Sequence, residues 1–139
     1  MSWFHLIFGL VLFIVFTITG RFMRADFPDK TEIDQTLRVL MRSRHIYILL
    51  SSLIHIGLGI YVQARPQTIR KILQISGSTV LASASVLLVY AFIVETYQIQ
   101  NYSNYSRWGL YLSLAGIGLH LIGGFDPRRS SDENYDTTR

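Results

Sequence analysis

Charged side chains fall between four long apolar stretches, Trp3–Gly20, His45–Val62, Ile72–Val94 and Trp108–Phe125, whose only titratable members are four histidines and a few tyrosines. These stretches run 18, 18, 23 and 18 residues, against about 20 needed for a helix to cross a hydrocarbon core of ~30 Å. A hydrocarbon layer offers the backbone no hydrogen-bond partner, so each run satisfies its own amides by coiling into a helix. The pattern predicts an all-α fold: an integral membrane four-helix bundle whose spans alternate up and down.

The intervening segments refine that picture. Pro28 and the turn-prone Asp26–Asp29 stretch end the first helix, and Thr31 is a plausible N-cap for an amphipathic first loop in which Ile33, Leu37, Leu40 and Met41 share one side. That segment, Thr31–Arg44, is expected to run helically into the second span. The break at Gln63-Ala64-Arg65-Pro66 is the shortest, which predicts a tight antiparallel hairpin of spans two and three. The domain is expected to cover residues 1–129, and the Ser-, Asp-, Asn- and Thr-rich tail 130–139 is too polar to bury a core and is expected to be disordered. The first run lacks a basic start and a small-residue cleavage motif, so it reads as a mature helix and not as a secretory signal.

An even number of spans puts both termini on one side. Basic residues are nearly balanced between the two faces, but Arg21 and Arg24 directly follow the first helix and no basic side chain precedes it. That asymmetry favours cytoplasmic first and third loops, with both termini on the outer side of a plasma or bacterial inner membrane. Trp3, Phe4, Tyr61 and Phe125 at one boundary, and Tyr97, Tyr102, Tyr105, Trp108 and Tyr111 at the other, form candidate aromatic belts.

Composition agrees with the membrane reading. Of 139 residues 50% are apolar and only 16% charged, with a mean hydropathy of +0.30, whereas soluble domains are roughly 25% charged. The absence of cysteine excludes disulfides, thiolate zinc sites, iron–sulfur clusters and thiol nucleophiles. A net charge of +4 sits beside the spans and reads as anchoring to anionic lipid, with no nucleic-acid footprint. No Gly-rich phosphate loop, nucleophile elbow, paired catalytic carboxylates or zinc-hydrolase motif gives hydrolase or kinase chemistry a foothold. Glu95 is the only carboxylate at a span end and is expected to form a surface pair with Arg107.

Spacing by threes and fours picks out the inward stripe of each span. The stripes read His5, Gly9, Leu12, Phe16 and Gly20; His45, Ile48, Ser52, His55, Gly59 and Val62; Gln74, Ser78, Leu81, Ser85, Leu88, Phe92 and Glu95; and Gly109, Ser113, Gly116, His120 and Gly123. Glycines and serines on such stripes serve close helix packing. Histidines within a span are costly and usually have a task. Antiparallel alternation places His5, His55 and His120 near the face that carries the termini, with His5 closest to the headgroups and His45 at the opposite interface. Two of His55, His120 and His5 are therefore candidate axial ligands of a b-type haem, a placement similar in depth, though not in motif, to that of small membrane cytochromes b. Bound copper or zinc is a lesser alternative, because no carboxylate or thiol accompanies the imidazoles.

Two functions follow as expectations. The first is a non-enzymatic bundle acting as a membrane-complex subunit or assembly partner, in contact with the lipid bilayer and with other membrane-protein subunits or a second copy of itself. The second is a haem-bearing electron-transfer or oxidoreductase component.

Overall fold

A computed structural model describes residues 2–26, 34–61, 68–95 and 104–124. These form four α-helices and no strand: α1 (Ser2–Asp26), α2 (Gln35–Tyr61), α3 (Thr68–Glu95) and α4 (Asn104–Gly124). The candidate cap Thr31, the Gln63–Pro66 break, Val62, Phe125 and the polar tail lie outside the described residues.

From Gln35 onward the amphipathic segment is part of the second helix, since α2 runs without interruption from Gln35 to Tyr61. Its cap is Asp34, whose Oδ1 accepts from the Thr36 amide at 2.7 Å and the Leu37 amide at 3.3 Å. Those two amides have no partner within the helix, and an Asx side chain just ahead of the first turn supplies one.

Contacts fix the directions of the helices. Gly9 faces Ser52 and Ile56 while Gly20 faces His45, so α1 and α2 are antiparallel; Gly123 faces Gln74 while Gly109 faces Leu88, so α3 and α4 are antiparallel too. Both pairs approach through glycine. A Cβ placed on Gly59 would lie 2.7 Å from the Leu6 backbone nitrogen, and one on Gly77 would lie 3.0 Å from the Gly116 carbonyl oxygen. Backbones this close leave no room for a side chain, which is the packing that small residues permit between apolar helices.

The hairpin of spans two and three is not the tightest pair, contrary to the expectation from its short break. The facing surfaces of α2 and α3 carry Arg44, Ser51 and His55 against Glu95 and Ser85, polar side chains where the tighter pairs meet through glycine. The bundle is thus two glycine-packed hairpins, α1/α2 and α3/α4, joined along a polar seam. A short connection fixes which helices are neighbours, while the residues at the contact fix how near they come.

Burial is inverted relative to a water-soluble protein. Among the described residues the interior holds His5, Arg44, Ser51, Ser52, His55, Gln74, Ser78, Ser85, Glu95, Ser106, Ser113 and His120 beside a smaller apolar set around Ile48, Leu81, Leu88 and Phe92. Outside, large apolar side chains stand free, among them Ile14, Ile93, Leu114 and Leu121 at 59–68% exposure. Helices α1, α2 and α3 are long and apolar enough to cross a membrane. Helix α4, 21 residues long, falls outside that set, and its buried face carries Gly109, Ser113, Gly116, His120 and Gly123.

Candidate functional site

Helix periodicity brings three of the four histidines together. His5 lies in the second turn of α1, His55 six residues before the end of α2, and His120 four residues before the end of α4. Antiparallel packing carries all three to one end of the bundle, where they are 1%, 0% and 5% exposed. The convergence expected from their depth is present. The bonding partners are His5 and His55, which meet directly, while His120 joins through a serine.

The contacts form one continuous chain. His5 Nδ1 lies 2.8 Å from His55 Nδ1, and the two rings stack with centroids 5.0 Å apart. His5 Nε2 is 2.9 Å from Ser78 Oγ, which is 3.2 Å from His120 Nε2. On the other side, His55 Nε2 is 3.0 Å from Ser85 Oγ, itself 2.6 Å from Ser51 Oγ. Both α3 serines also reach the carbonyl one turn back, Ser78 to Gln74 O and Ser85 to Leu81 O, each at 2.8 Å. Phe8 covers His55 edge-on at 4.8 Å, and Phe4 and His120 close the sides of His5. His120 Nδ1 is buried without a hydrogen-bond partner.

His5 and His55 as they stand do not suit an axial ligand pair. The nitrogens that would face an iron from opposite sides of a macrocycle are hydrogen-bonded to each other, and their stacked rings leave no slab between them. Among the described residues no group of three or more His, Asp or Glu side chains is placed to hold a metal ion. A hollow of about 300 Å³ lined by Phe4, Ile75, Ser78, Thr79, Ala82 and Ser83 touches the cluster from the outside of the α1–α3 groove.

His45 stands apart, as expected. It is half-buried at the far end, stacked on Phe16 at 4.1 Å and 3.0 Å from Thr19 Oγ1. A second hollow there, about 410 Å³, is lined by His45, Gly20, Arg21 and Arg24 together with Phe16 and Thr17.

The expected surface pair of Glu95 with Arg107 is overturned. Arg107 is exposed, and Glu95, 3% exposed, faces inward to Arg44, with Nε 3.4 Å from Oε2. Arg44 Nη1 also donates to the Glu95 carbonyl oxygen. The carboxylate accepts from the Tyr105 amide at 2.8 Å and the Ser106 hydroxyl at 2.6 Å. Glu95 therefore sits at the positive end of α4 and ties it to α2 and α3. Arg44 and Ser51 were missed at the sequence level, although both extend the α2 stripe: Arg44, Ile48, Ser51, Ser52 and His55 recur by threes and fours and all are buried.

No protein-family description, curated protein or solved structure compared with this chain matches it, so the reading of its function stands on the bundle and its interior.

Proposed function

We propose that this chain is a multi-pass membrane protein with four spans, acting as a non-enzymatic bundle that serves as a subunit or assembly partner in a membrane complex. The observation that carries the reading is the inversion of burial: serines, histidines and an ion pair inside, and a mantle of free Ile, Leu, Val and Phe side chains outside. In water such a mantle would be an association surface of extreme size. In lipid it is the solvent-facing side, and the polar groups must turn inward.

Helix α4 belongs with the other three on the same argument. Its polar and small residues are spent on the α3 contact, while Trp108, Tyr111, Leu114, Leu121 and Ile122 face outward. A basic hollow at Arg21 and Arg24 lies where anionic headgroups would meet the end of α1. The partner role draws support from the lack of any recognisable catalytic set and from glycines Gly57 and Gly118, which have open space beside them and permit the close approach of another helix.

Reporter fusions test the topology. Fusions at Met1 and Arg139 should respond alike and opposite to one placed beside Lys30; opposite responses at the two ends would remove α4 from the membrane. Mass measurement of the purified protein in mild detergent tests the partner role, which predicts a defined complex with itself or with a stoichiometric second chain. A monomer carrying a Soret band that shifts on reduction would replace this reading with a haem protein.

A further inference from the structure

The hydrogens of the histidine–serine chain can be counted. A serine hydroxyl has one hydrogen to give, and a neutral imidazole has one N–H. Ser78 and Ser85 each lie at donating distance from a helix carbonyl, Gln74 O and Leu81 O at 2.8 Å. When both donate there, their oxygens only accept, so His5 Nε2 and His55 Nε2 must both carry hydrogen. Two neutral rings would then present bare Nδ1 lone pairs to each other at 2.8 Å, a distance at which one hydrogen must stand between them. With one serine turned from its carbonyl to its imidazole, the same heavy atoms make a neutral chain in which both imidazole contacts and the Nδ1–Nδ1 contact are satisfied and that one serine–carbonyl bond is given up.

We propose that the His5–His55 pair is an interior proton-binding site, holding one proton between the two Nδ1 atoms, with His120 and Ser78 as the route by which it arrives. The neutral and the charged pair differ by one proton with the heavy atoms in place, and the relay that delivers it leaves His120 as the Nδ1–H tautomer with the Ser78 hydroxyl hydrogen directed at its Nε2. In the uptake step an external proton bonds to the Nδ1 lone pair of His120, the buried nitrogen that lacks a partner. The His120 Nε2 hydrogen passes to Ser78 Oγ, the Ser78 hydroxyl hydrogen passes to His5 Nε2, and the Nδ1 hydrogen of His5 is then shared with His55. One proton enters, no electron moves, and the positive charge spreads over two rings.

The groups facing the pair are few. On α1 the described residues within two turns of His5 include no other ionisable side chain, and on α4 there is His120. Helix α2 contributes His55 itself; α3 contributes Gln74, Ser78 and Ser85, none ionisable, with Arg70 and Lys71 about two turns further out. Glu95 and Arg44 neutralise each other at the other end, about 15 Å along α3 from Ser85 by helical rise. No carboxylate faces the pair among the described residues. Beyond Ser51 and Ser85 the interior continues as Ile48, Leu88 and Phe92, so the chain ends inside the bundle and binds a proton without passing it across. This inference rests on the packed interior and not on what the protein assembles with, and its test is independent of the reporter fusions.

The test is nitrogen NMR of the unmodified protein in detergent micelles, with ¹⁵N-labelled imidazoles, titrated from about pH 8 to about pH 4. Assignment uses His45→Gln and His120→Leu. The expected result is a state in which His5 and His55 both carry Nε2–H and share one Nδ1 hydrogen, seen as coupling between the two Nδ1 nuclei. In His120→Leu the same end state should form with proton exchange at the pair slowed about tenfold or more. If His5 and His55 each keep a single hydrogen at every pH, or show no mutual coupling, the site is not a proton acceptor; an unchanged exchange rate in His120→Leu would overturn the route.

Discussion

Arg44 and Glu95 join α2 to α3 and α4 from inside the bundle: the guanidinium Nε lies 3.4 Å from Oε2, both side chains are under 5% exposed, and the carboxylate also holds the Tyr105 amide and the Ser106 hydroxyl. Two charges taken out of water cost several kcal/mol each, and their mutual attraction offsets this only while both are present. Arg44→Met or Glu95→Ala alone should therefore lower stability in detergent by about 3–5 kcal/mol. The double change should lose less than the sum of the single changes. A thermal-unfolding double-mutant cycle checks it, and strictly additive losses would mean that the two groups act independently.

Gly59 and Gly57 stand two residues apart on α2 and make opposite predictions. A Cβ on Gly59 would meet the Leu6 backbone at 2.7–2.9 Å, whereas one on Gly57 would meet nothing within 4 Å. Backbone on a packed helix cannot step aside as a side-chain tip can. Gly59→Ala should thus destabilise the fold by about 1–3 kcal/mol, the range for overpacking, and Gly57→Ala should be neutral or slightly stabilising through helix propensity. Equal melting temperatures for the two variants would place Gly59 away from α1.

The bundle was legible because membrane-type packing writes its interior in polar and small residues. On α3 every position of the seam from Gln74 to Glu95 is buried, and on α4 so is every one from Gly109 to Gly123. Spacing locates the face, but it does not identify the helix opposite. That is why the α2–α3 hairpin was overrated: proximity in sequence cannot show that Gly59 meets Leu6 while Ser51 meets Ser85. Depth likewise brought the three histidines to one layer and could not reveal the Nδ1–Nδ1 bond, which depends on side-chain rotation across two helices. Arg44 was hidden by its charge, since a guanidinium beside a span looks like a headgroup anchor until a buried carboxylate is known to face it.

Asp34 gives a pH dependence outside the spans. Its carboxylate is held below the usual range by hydrogen bonds from the Thr36 and Leu37 amides. The ionised form is the capping form, so the cap is fully present above the ordinary carboxylate range and is lost as pH falls through the lowered value. Amide exchange at Thr36 and Leu37 should accelerate over that acidic window in the natural chain. In Asp34→Ala it should be fast at all pH, and in Asp34→Asn it should be slow and independent of this titration, because Asn also caps. Identical exchange in all three proteins would show that the first turn of α2 is held by other means.

Ser85 is one of the residues through which the two hairpins share polar contacts, accepting from or donating to His55 Nε2 at 3.0 Å and Ser51 Oγ at 2.6 Å. Replacing it with alanine keeps the shape but leaves an imidazole nitrogen and a hydroxyl to find new partners in an apolar interior. The loss should be about 1–3 kcal/mol, the cost of orphaning buried polar groups. Ser83 is exposed on the same helix, and Ser83→Ala should change stability by less than about 0.5 kcal/mol. Thermal unfolding in one detergent compares the pair. The Ser85 variant should also loosen α1/α2 from α3/α4, seen as faster proteolysis between residues 61 and 68, while contacts across Gly59 and Gly77 stay intact. If both serine variants melt with the natural chain, the Ser85 contacts contribute nothing to holding the hairpins together, and the other seam contacts, Arg44 with Glu95 and His5 with Ser78, must hold them along with apolar packing.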